Sequence, residues 1–136
     1  MPAAFRERFV LPSSREEIEA ATETVIAALD RLGYDKAGAF AIRLALEEAL
    51  TNAVRHGNKN NPERLVTLQC DISEREAVLD VGDEGEGFDP QAVPDPTAAE
   101  NLDIPSGRGL MLMRSFMADV QVHPPGNRVT MRFHRP

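Results

Sequence analysis

The chain carries the sequence Asp-Glu-Gly-Glu-Gly-Phe-Asp-Pro at residues 83–90, shortly after the strand-like run Ala-Val-Leu-Asp-Val at 77–81. This order places one carboxylate, Asp83, and two glycines, Gly85 and Gly87, just past a predicted strand end. Glycine lets the backbone approach a ligand closely, and a carboxylate can accept a hydrogen bond from the exocyclic amine of a nucleotide base. An ordinary acidic turn explains the same residues, because Asp and Gly are common in turns. The rest of the chain must decide between these two interpretations.

Length and composition predict one globular domain, residues 1–136, with its own hydrophobic core. The net charge of −7 argues against direct nucleic-acid binding, which needs a basic surface. No apolar run approaches the roughly 20 residues that span a bilayer, and the amino terminus lacks the pattern of a secretory signal. We therefore expect a cytoplasmic protein with no membrane or nucleic-acid partner.

Cysteine and histidine usage gives no metal pattern. Cys70 lies on the apolar phase of the alternating segment 66–72 and is expected to be a small buried hydrophobe. The three histidines, His56, His123 and His134, show no zinc-ligand spacing with each other or with Cys70. The sequence does not predict a zinc site.

The first half of the chain predicts a strand followed by two helices. A strand is expected over residues 6–11, and helix one from a Ser14–Glu17 capping box to about residue 32. Gly33 is expected to end helix one, and Asp35 to cap helix two. Helix two should extend over about residues 36–55 and be largely buried, with Phe40 among its apolar residues.

The second half predicts two hairpins separated by a proline-rich loop and a third helix. The hairpins are expected at residues 66–81 and 120–133, and the helix opens at the glycines of 107–109. The fold class is therefore α+β: a two-layer α/β sandwich in which three helices cover one face of a mixed or antiparallel sheet of about five strands.

Helix two carries a polar stripe that has chemical meaning. Glu48 and Asn52 are four residues apart and share a face, with Arg55 and His56 about one turn beyond. A carboxamide oxygen can ligate Mg²⁺, and a carboxylate one turn earlier can accept the proton of an attacking hydroxyl. Two plainer explanations stay open: the stripe is the solvated side of an amphipathic helix, or its two residues hydrogen-bond each other.

Three segments together resemble a known superfamily. Residues 48–53, 83–88 and 107–113 are similar to the N, G1 and G2 boxes of the GHKL ATPases, which include gyrase and the sensor histidine kinases. The Glu-x-x-x-Asn-Ala-x-x-His-Gly form at 48–57 and the segment 113–120 most resemble the bacterial anti-sigma factor serine/threonine kinases. The resemblance extends over about residues 9–133 and implies a Bergerat-type ATP-binding fold.

The resemblance implies a site for ATP and Mg²⁺. It assigns Mg²⁺ ligation to Asn52, the general base to Glu48, the adenine amino group to Asp83, and a place in the adenine and water network to Thr130. Residues 88–106 would be the ATP lid, although such a loop is also compatible with a tolerated insertion. The further nucleotide-binding residues that it implies are His56, Gly85, Gly87, Phe88, Ser106, Gly107, Arg108, Gly109 and Leu110.

The resemblance also implies an activity and partners. It indicates an ATP-dependent serine/threonine protein kinase that phosphorylates an anti-anti-sigma protein of the STAS class, sequesters a sigma factor and forms a homodimer. The alternative is a nucleotide-responsive module that binds a protein partner and transfers no phosphate.

Overall fold

A computed structural model describes residues 4–85, 117, 119–124 and 126–135. The described chain forms five strands and two α-helices, and the predicted third helix and the lid lie outside the described residues. The elements are β1 Ala4–Pro12, α1 Arg15–Arg31, α2 Lys36–Asn52, β2 Leu65–Ser73, β3 Glu76–Gly82, β4 Asp119–His123 and β5 Arg128–His134.

The strands form one antiparallel sheet in the order β1-β2-β3-β5-β4. Both predicted hairpins are present, β2–β3 and β4–β5, and β5 lies between β3 and β4. The α+β prediction is confirmed. Of its two options for the sheet, mixed or antiparallel, the structure has the antiparallel one.

The core lies between the two helices and one face of the sheet. Strand β2 shows the reason, because its apolar residues alternate with polar ones and a strand turns successive side chains to opposite faces. Cys70 is among the fully buried residues, as expected, and burial raises the pKa of its thiol to about 12. The largest fully buried apolar side chains are Leu29, Ile42, Leu46, Leu50, Leu68, Ile72, Leu79 and Met131.

The other face of the sheet, called here the open face, is mostly polar. The exposed Val10 and Leu65 also lie on it, because each is next to a buried residue of its strand. It carries the residues of β3 and β5 that alternate with the buried ones, such as Asp80, Arg128 and Thr130. Arg128 donates two hydrogen bonds of 2.8 Å to Asp80. Two more cross-strand ion pairs join Arg6 to Asp71 and Arg132 to Glu76.

The helix ends follow the predicted signals only in part. Gly33 has a φ of +83°, as a helix-terminating glycine should, and Asp35 Oδ1 accepts a 2.7 Å hydrogen bond from Gly38 N. The Ser14 side chain makes no capping hydrogen bond, so the capping-box prediction is wrong. Instead the Ser14 backbone N–H donates to Pro12 O at 2.7 Å, which turns the chain from β1 into α1.

Phe40 is the main error in the predicted core, because its side chain is 60% exposed. The buried stripe of α2 contains Ile42, Ala45, Leu46 and Ala49. Phe40 precedes Ile42 by two residues, which places it about 200° around the helix from Ile42. Its apolar character predicts burial, but its position around the helix directs the side chain away from the sheet.

Candidate functional site

The polar stripe on α2 is partly buried. Glu48 is half-buried, and burial raises the pKa of its carboxyl, an effect that nearby Arg55 opposes. One turn later, Asn52 Oδ1 is buried and has no hydrogen-bond partner in the described part of the chain. Buried oxygens are almost always hydrogen-bonded, so this one is available to an ion, a water or a residue outside the described part of the chain.

The helix changes form directly after Asn52. Residues Ala53–Gly57 form one π-helical turn, which Asn58 N closes by donating to Ala53 O at 2.8 Å. The α-helix therefore ends at Asn52 rather than near residue 55 as predicted, and π turns often occur at functional sites. His56 lies in this turn, and burial together with nearby Arg55 lowers the pKa of its imidazole.

Asp83 contacts the end of this turn. Its carboxylate lies against Gly57, where an added Cβ would be 2.2 Å from both Asp83 Cγ and Asp83 Oδ2. Burial raises the pKa of Asp83, and the hydrogen bond from the Gly85 backbone opposes that shift. Only a glycine at position 57 leaves room for this carboxylate.

Gly85 contacts both partners of this pair, the Asp83 carboxylate and the Gly57 backbone. Its N–H donates to Asp83 Oδ1 at 2.7 Å, so Oδ1 is engaged, and no hydrogen bond from the described residues reaches Oδ2. A Cβ on Gly85 would lie 2.2 Å from Gly57 O, which shows that the two backbones touch. Asp83 Oδ2 is therefore the carboxylate oxygen that no described residue engages, and the two glycines allow Asp83, Gly57 and Gly85 to pack against one another.

The structure adds Asn127 to this group. Its backbone oxygen accepts a 2.9 Å hydrogen bond from Asp83 N, and its side-chain Nδ2 donates to Gly85 O at 3.4 Å. Asn127 lies in the predicted hairpin at 120–133, where the sequence predicts no role for it beyond the turn. The pairing of β3 with β5 brings this turn to Asp83, and the local sequence pattern does not contain that information.

Thr130 lies on the open face of the sheet, beside Asp80 and apart from the Gly57–Asp83 contact. It pairs in register with Asp80, donates its hydroxyl hydrogen to Asp80 Oδ2 at 2.8 Å, and has His123 Nε2 at 2.7 Å. Because Met131 is buried in the core, Thr130 points to the open face. The structure therefore does not bring Thr130 together with Asp83.

The described part of the site thus joins the end of α2 to the exit of β3. Glu48 and Asn52 lie on the helix that leads to the Gly57–Asp83 contact. No group of three His, Cys, Asp or Glu side chains within the described residues could hold a metal. The remaining site residues of the resemblance lie outside the described residues: Gly87, Phe88, Ser106, Gly107, Arg108, Gly109 and Leu110.

Comparison with known families matches residues 11–133 to the histidine kinase-like ATPase domain. The chain belongs to this family. The resemblance to GHKL-type anti-sigma serine kinases is confirmed, and membership implies that this ATPase domain binds ATP.

Curated relatives of this ATPase domain are protein kinases by name. The serine-protein kinase RsbW of Staphylococcus epidermidis is 31% identical over 120 residues, which cover 83% of this chain and 76% of the relative. RsbW of Oceanobacillus iheyensis is 26% identical over 119 residues, with 83% and 75% covered. The serine/threonine-protein kinase BtrW of Bordetella bronchiseptica is 33% identical over 99 residues, with 70% of each chain covered.

A solved structure supports the fold of this ATPase domain. The histidine kinase domain from the blue-light activated histidine kinase of Erythrobacter litoralis EL346 aligns with a TM-score of 0.54 at 17% identity. The alignment covers 86% of this chain and 60% of that chain, and at this identity it shows the fold alone. Among the described residues, neither helix has the length and apolar character needed to cross a membrane.

Proposed function

We propose that this protein is an ATP-dependent serine/threonine kinase and anti-sigma regulator. It transfers the γ-phosphoryl group of ATP to a hydroxyl of a STAS-class anti-anti-sigma protein, and it sequesters a sigma factor. The observation that carries this proposal is the pair on α2: the half-buried Glu48 with its raised pKa, one turn before the buried Asn52 Oδ1, which no described residue hydrogen-bonds. The kinase and anti-sigma names of the relatives support it.

Asn52 is the proposed ligand for Mg²⁺. An amide oxygen is the neutral, hard donor that this ion accepts, and Mg²⁺ keeps few protein ligands when phosphate oxygens supply others. The orphaned Asn52 Oδ1 fits that requirement. Bound Mg²⁺ supplies neutralisation of phosphate charge.

Glu48 is the proposed general base. The hydroxyl oxygen of the partner's serine or threonine forms a bond to the γ-phosphorus, the bond from that phosphorus to the bridging oxygen breaks, and ADP leaves. The hydroxyl proton moves to the Glu48 carboxylate. Because burial raises the pKa of Glu48, its carboxylate is a stronger base than that of an exposed glutamate.

Asp83 is the proposed reader of the adenine base. Oδ1 is held by the Gly85 N–H, so Oδ2 is the acceptor for the exocyclic amine. Gly57 and Gly85 hold this carboxylate in place, because the first leaves room for it and the second donates to it. His56, on the π turn between Asn52 and Gly57, would lie beside the nucleotide.

We also propose the partners and the cellular setting, which the family and the net charge support. A net charge of −7 favours protein partners over nucleic acid. The name "Anti-sigma F factor", carried by a Clostridium novyi relative at 30% identity, supports sigma binding. We propose a cytoplasmic homodimer, and we expect the Gly107–Gly109 segment and the lid at 88–106 to complete the nucleotide pocket.

Phosphotransfer to a STAS-domain protein tests this function. The chain is incubated with Mg-ATP and the STAS protein, and phosphoserine or phosphothreonine on the latter is measured by mass spectrometry. Glu48→Gln should lower the rate by about a hundredfold or more while ATP still binds. Glu47→Gln is the matched control, because the Glu47 carboxylate is exposed and, among the described residues, pairs with Arg43 alone, at 2.8 Å.

Two outcomes reject the kinase mechanism. A rate that Glu48→Gln leaves unchanged rejects the assigned base. Tight ATP binding by the wild-type chain without any transfer supports the alternative, a nucleotide-responsive binding module. Titration calorimetry with and without Mg²⁺ gives the binding half of this comparison.

A further inference from the structure

Asn58 is a fully buried polar residue that follows Gly57 directly, and its exposed fraction is 0%. Its side chain makes three hydrogen bonds. Nδ2 donates to Ser13 Oγ and to Leu65 O, each at 3.0 Å, and Oδ1 accepts from Glu84 N at 2.8 Å. Both N–H groups and the oxygen are therefore engaged, which satisfies a buried amide.

The three partners of Asn58 belong to three separate parts of the fold. Ser13 lies between β1 and α1, Leu65 begins β2, and Glu84 follows β3. Ser13 extends the network, because its hydroxyl donates to Arg64 O at 2.8 Å. One side chain thus joins the chain just after the π turn to the sheet and to residues 83–85, called here the acidic glycine segment.

Hydrogen bonds hold the acidic glycine segment at Asp83 and at Glu84. The Asp83 backbone N–H donates to Asn127 O at 2.9 Å. The Glu84 backbone N–H donates to Asn58 Oδ1, and the Glu84 carboxylate accepts a hydrogen bond from Leu65 N. The position of the Asp83 carboxylate against Gly57 therefore depends on Asn58, the residue next to Gly57.

The loop after Asn58 shows the same constraint. Lys59 and Asn60 have φ values of +53° and +58°, in the left-handed region that side chains with a Cβ disfavour. Two such residues in succession persist only where the surrounding contacts determine the backbone. Backbone hydrogen bonds fix this loop, because Asn60 N donates to Val54 O at 2.8 Å and Asn61 N donates to Asn58 O at 3.0 Å.

We propose that Asn58 is a positioning residue for nucleotide binding, which acts by fixing Asp83 relative to the end of α2. This inference rests on the proposed role of Asp83 in binding adenine. Asn58 itself is fully buried and is therefore not placed to contact a nucleotide. An apolar side chain could fill its volume but would leave the Glu84 N–H without its acceptor.

Amide hydrogen exchange of the nucleotide-free protein, measured by NMR, tests the positioning directly. The Glu84 and Gly85 amides of the wild type should be protected, because both donate within this network. Asn58→Ala should raise their exchange rates about tenfold or more relative to amides of β2. Unprotected Glu84 and Gly85 amides in the wild type would overturn the proposal without any variant.

Asn61→Ala is the matched control for this exchange measurement. Asn61 lies in the same loop and is exposed, and its side chain accepts a hydrogen bond only from Glu63 N at 3.0 Å among the described residues. Its replacement should leave the Glu84 and Gly85 exchange rates unchanged. Equal acceleration by Asn61→Ala and Asn58→Ala would show a general loosening of the loop and would contradict the proposal.

A double-mutant cycle on ATP affinity separates positioning from general stability. Asn58→Ala should weaken ATP binding about tenfold in the wild-type background, but less than about twofold when Asp83→Asn is already present. Equal losses in both backgrounds would overturn the proposal. If the wild type binds no ATP, the proposed function fails, and the exchange rates still decide whether Asn58 holds the turn.

Asn58→Asp separates the role of the Asn58 oxygen, which positions Glu84, from the role of its N–H groups, which stabilise the fold. Aspartate keeps an oxygen for the Glu84 N–H but loses both N–H donors to Ser13 and Leu65. It should lower the thermal stability while ATP affinity stays within about threefold of the wild type. A loss of affinity as large as that of Asn58→Ala would contradict the proposal.

Discussion

The carboxylate of Asp83 occupies the space that a side chain at Gly57 would need, with 2.2 Å between Asp83 Oδ2 and a Cβ built on Gly57. Real Cβ atoms are not found this close to a neighbouring heavy atom. The glycine after His56 and the aspartate after β3 are therefore two halves of one contact, although 26 residues separate them in the sequence.

Gly57→Ala should lower the free energy of ATP binding by more than it lowers the free energy of unfolding. The added methyl group must displace Asp83, and we expect a loss of about tenfold or more in affinity, measured by titration calorimetry. In a helical turn alanine is favoured over glycine by up to about 1 kcal/mol, which offsets part of the clash in the unfolding free energy.

Gly82→Ala is the control for that experiment, because it lies next to Asp83 and its added Cβ would only meet Asn127 O at 3.9 Å. Its ATP affinity should equal that of the wild type. Comparable losses in the two variants would mean that Asp83 does not depend on the space at Gly57.

Glu48→Gln should stabilise the protein at neutral pH. Burial raises the pKa of Glu48 above its ordinary 4.5, so the folded state binds this proton more tightly than the unfolded chain. Stability therefore falls as the pH rises from about 4.5 through the raised pKa, and the cost is complete above it. Glutamine removes that cost.

The melting temperatures of wild type and Glu48→Gln, measured from pH 4 to pH 8, give the test. We expect a gain of about 1–3 °C for the variant at pH 7 that disappears at the acid end. A difference that is constant with pH would show that the Glu48 charge is not the cause. The same variant should lack phosphotransfer, so stability and activity change in opposite directions.

Thr130→Val should leave ATP affinity unchanged and cost about 1 kcal/mol of stability. The hydroxyl of Thr130 donates to Asp80 on the open face and is not next to Asp83. Calorimetry with ATP and denaturant unfolding measure the two effects. A clear loss of ATP affinity would restore the role in the adenine network that the family resemblance implied for Thr130.

Arg135→Ala should lower the unfolding free energy by about 1–3 kcal/mol. The Arg135 guanidinium donates to Leu32 O at 3.2 Å, Gly33 O at 2.7 Å and Glu74 O at 2.9 Å, and it lies 4.6 Å from the centre of the Tyr34 ring. Urea unfolding measures the change.

Arg135→Lys should recover little of this loss, because an ammonium group cannot reach three carbonyls and also stack on an aromatic ring. The control is Arg132→Ala, whose exposed ion pair with Glu76 is 3.6 Å long and should contribute less than about 0.5 kcal/mol. Full recovery by lysine would show that charge alone accounts for the effect.

Local sequence patterns predicted most of the fold. The strict alternation in β2 predicted its buried face, and Asp35 predicted the start of α2. Phe40 was assigned wrongly because its apolar character was followed and its helical phase was not. The π turn at 53–57 was not predictable, because its hydrogen bonds depend on how the following loop is anchored.

The candidate site was predictable only where one segment carries the chemistry. The spacing of Glu48 and Asn52 on a helix is local and visible in the sequence. Asn58 and Asn127 both lie in turn-forming segments, where asparagine has a sufficient local explanation. Their roles arise from contacts 26 and 42 residues away in the sequence, with Glu84 and Gly85, which only the folded chain shows.

The open face also determines how a partner protein could bind there. Its cations and carboxylates already neutralise each other across neighbouring strands, as in the pairs Arg6–Asp71 and Arg128–Asp80. A partner that covers this face must match those paired charges in position, and it gains little apolar burial there beyond Val10 and Leu65. Such a complex would respond strongly to ionic strength and weakly to temperature, the reverse of an association built on apolar surface.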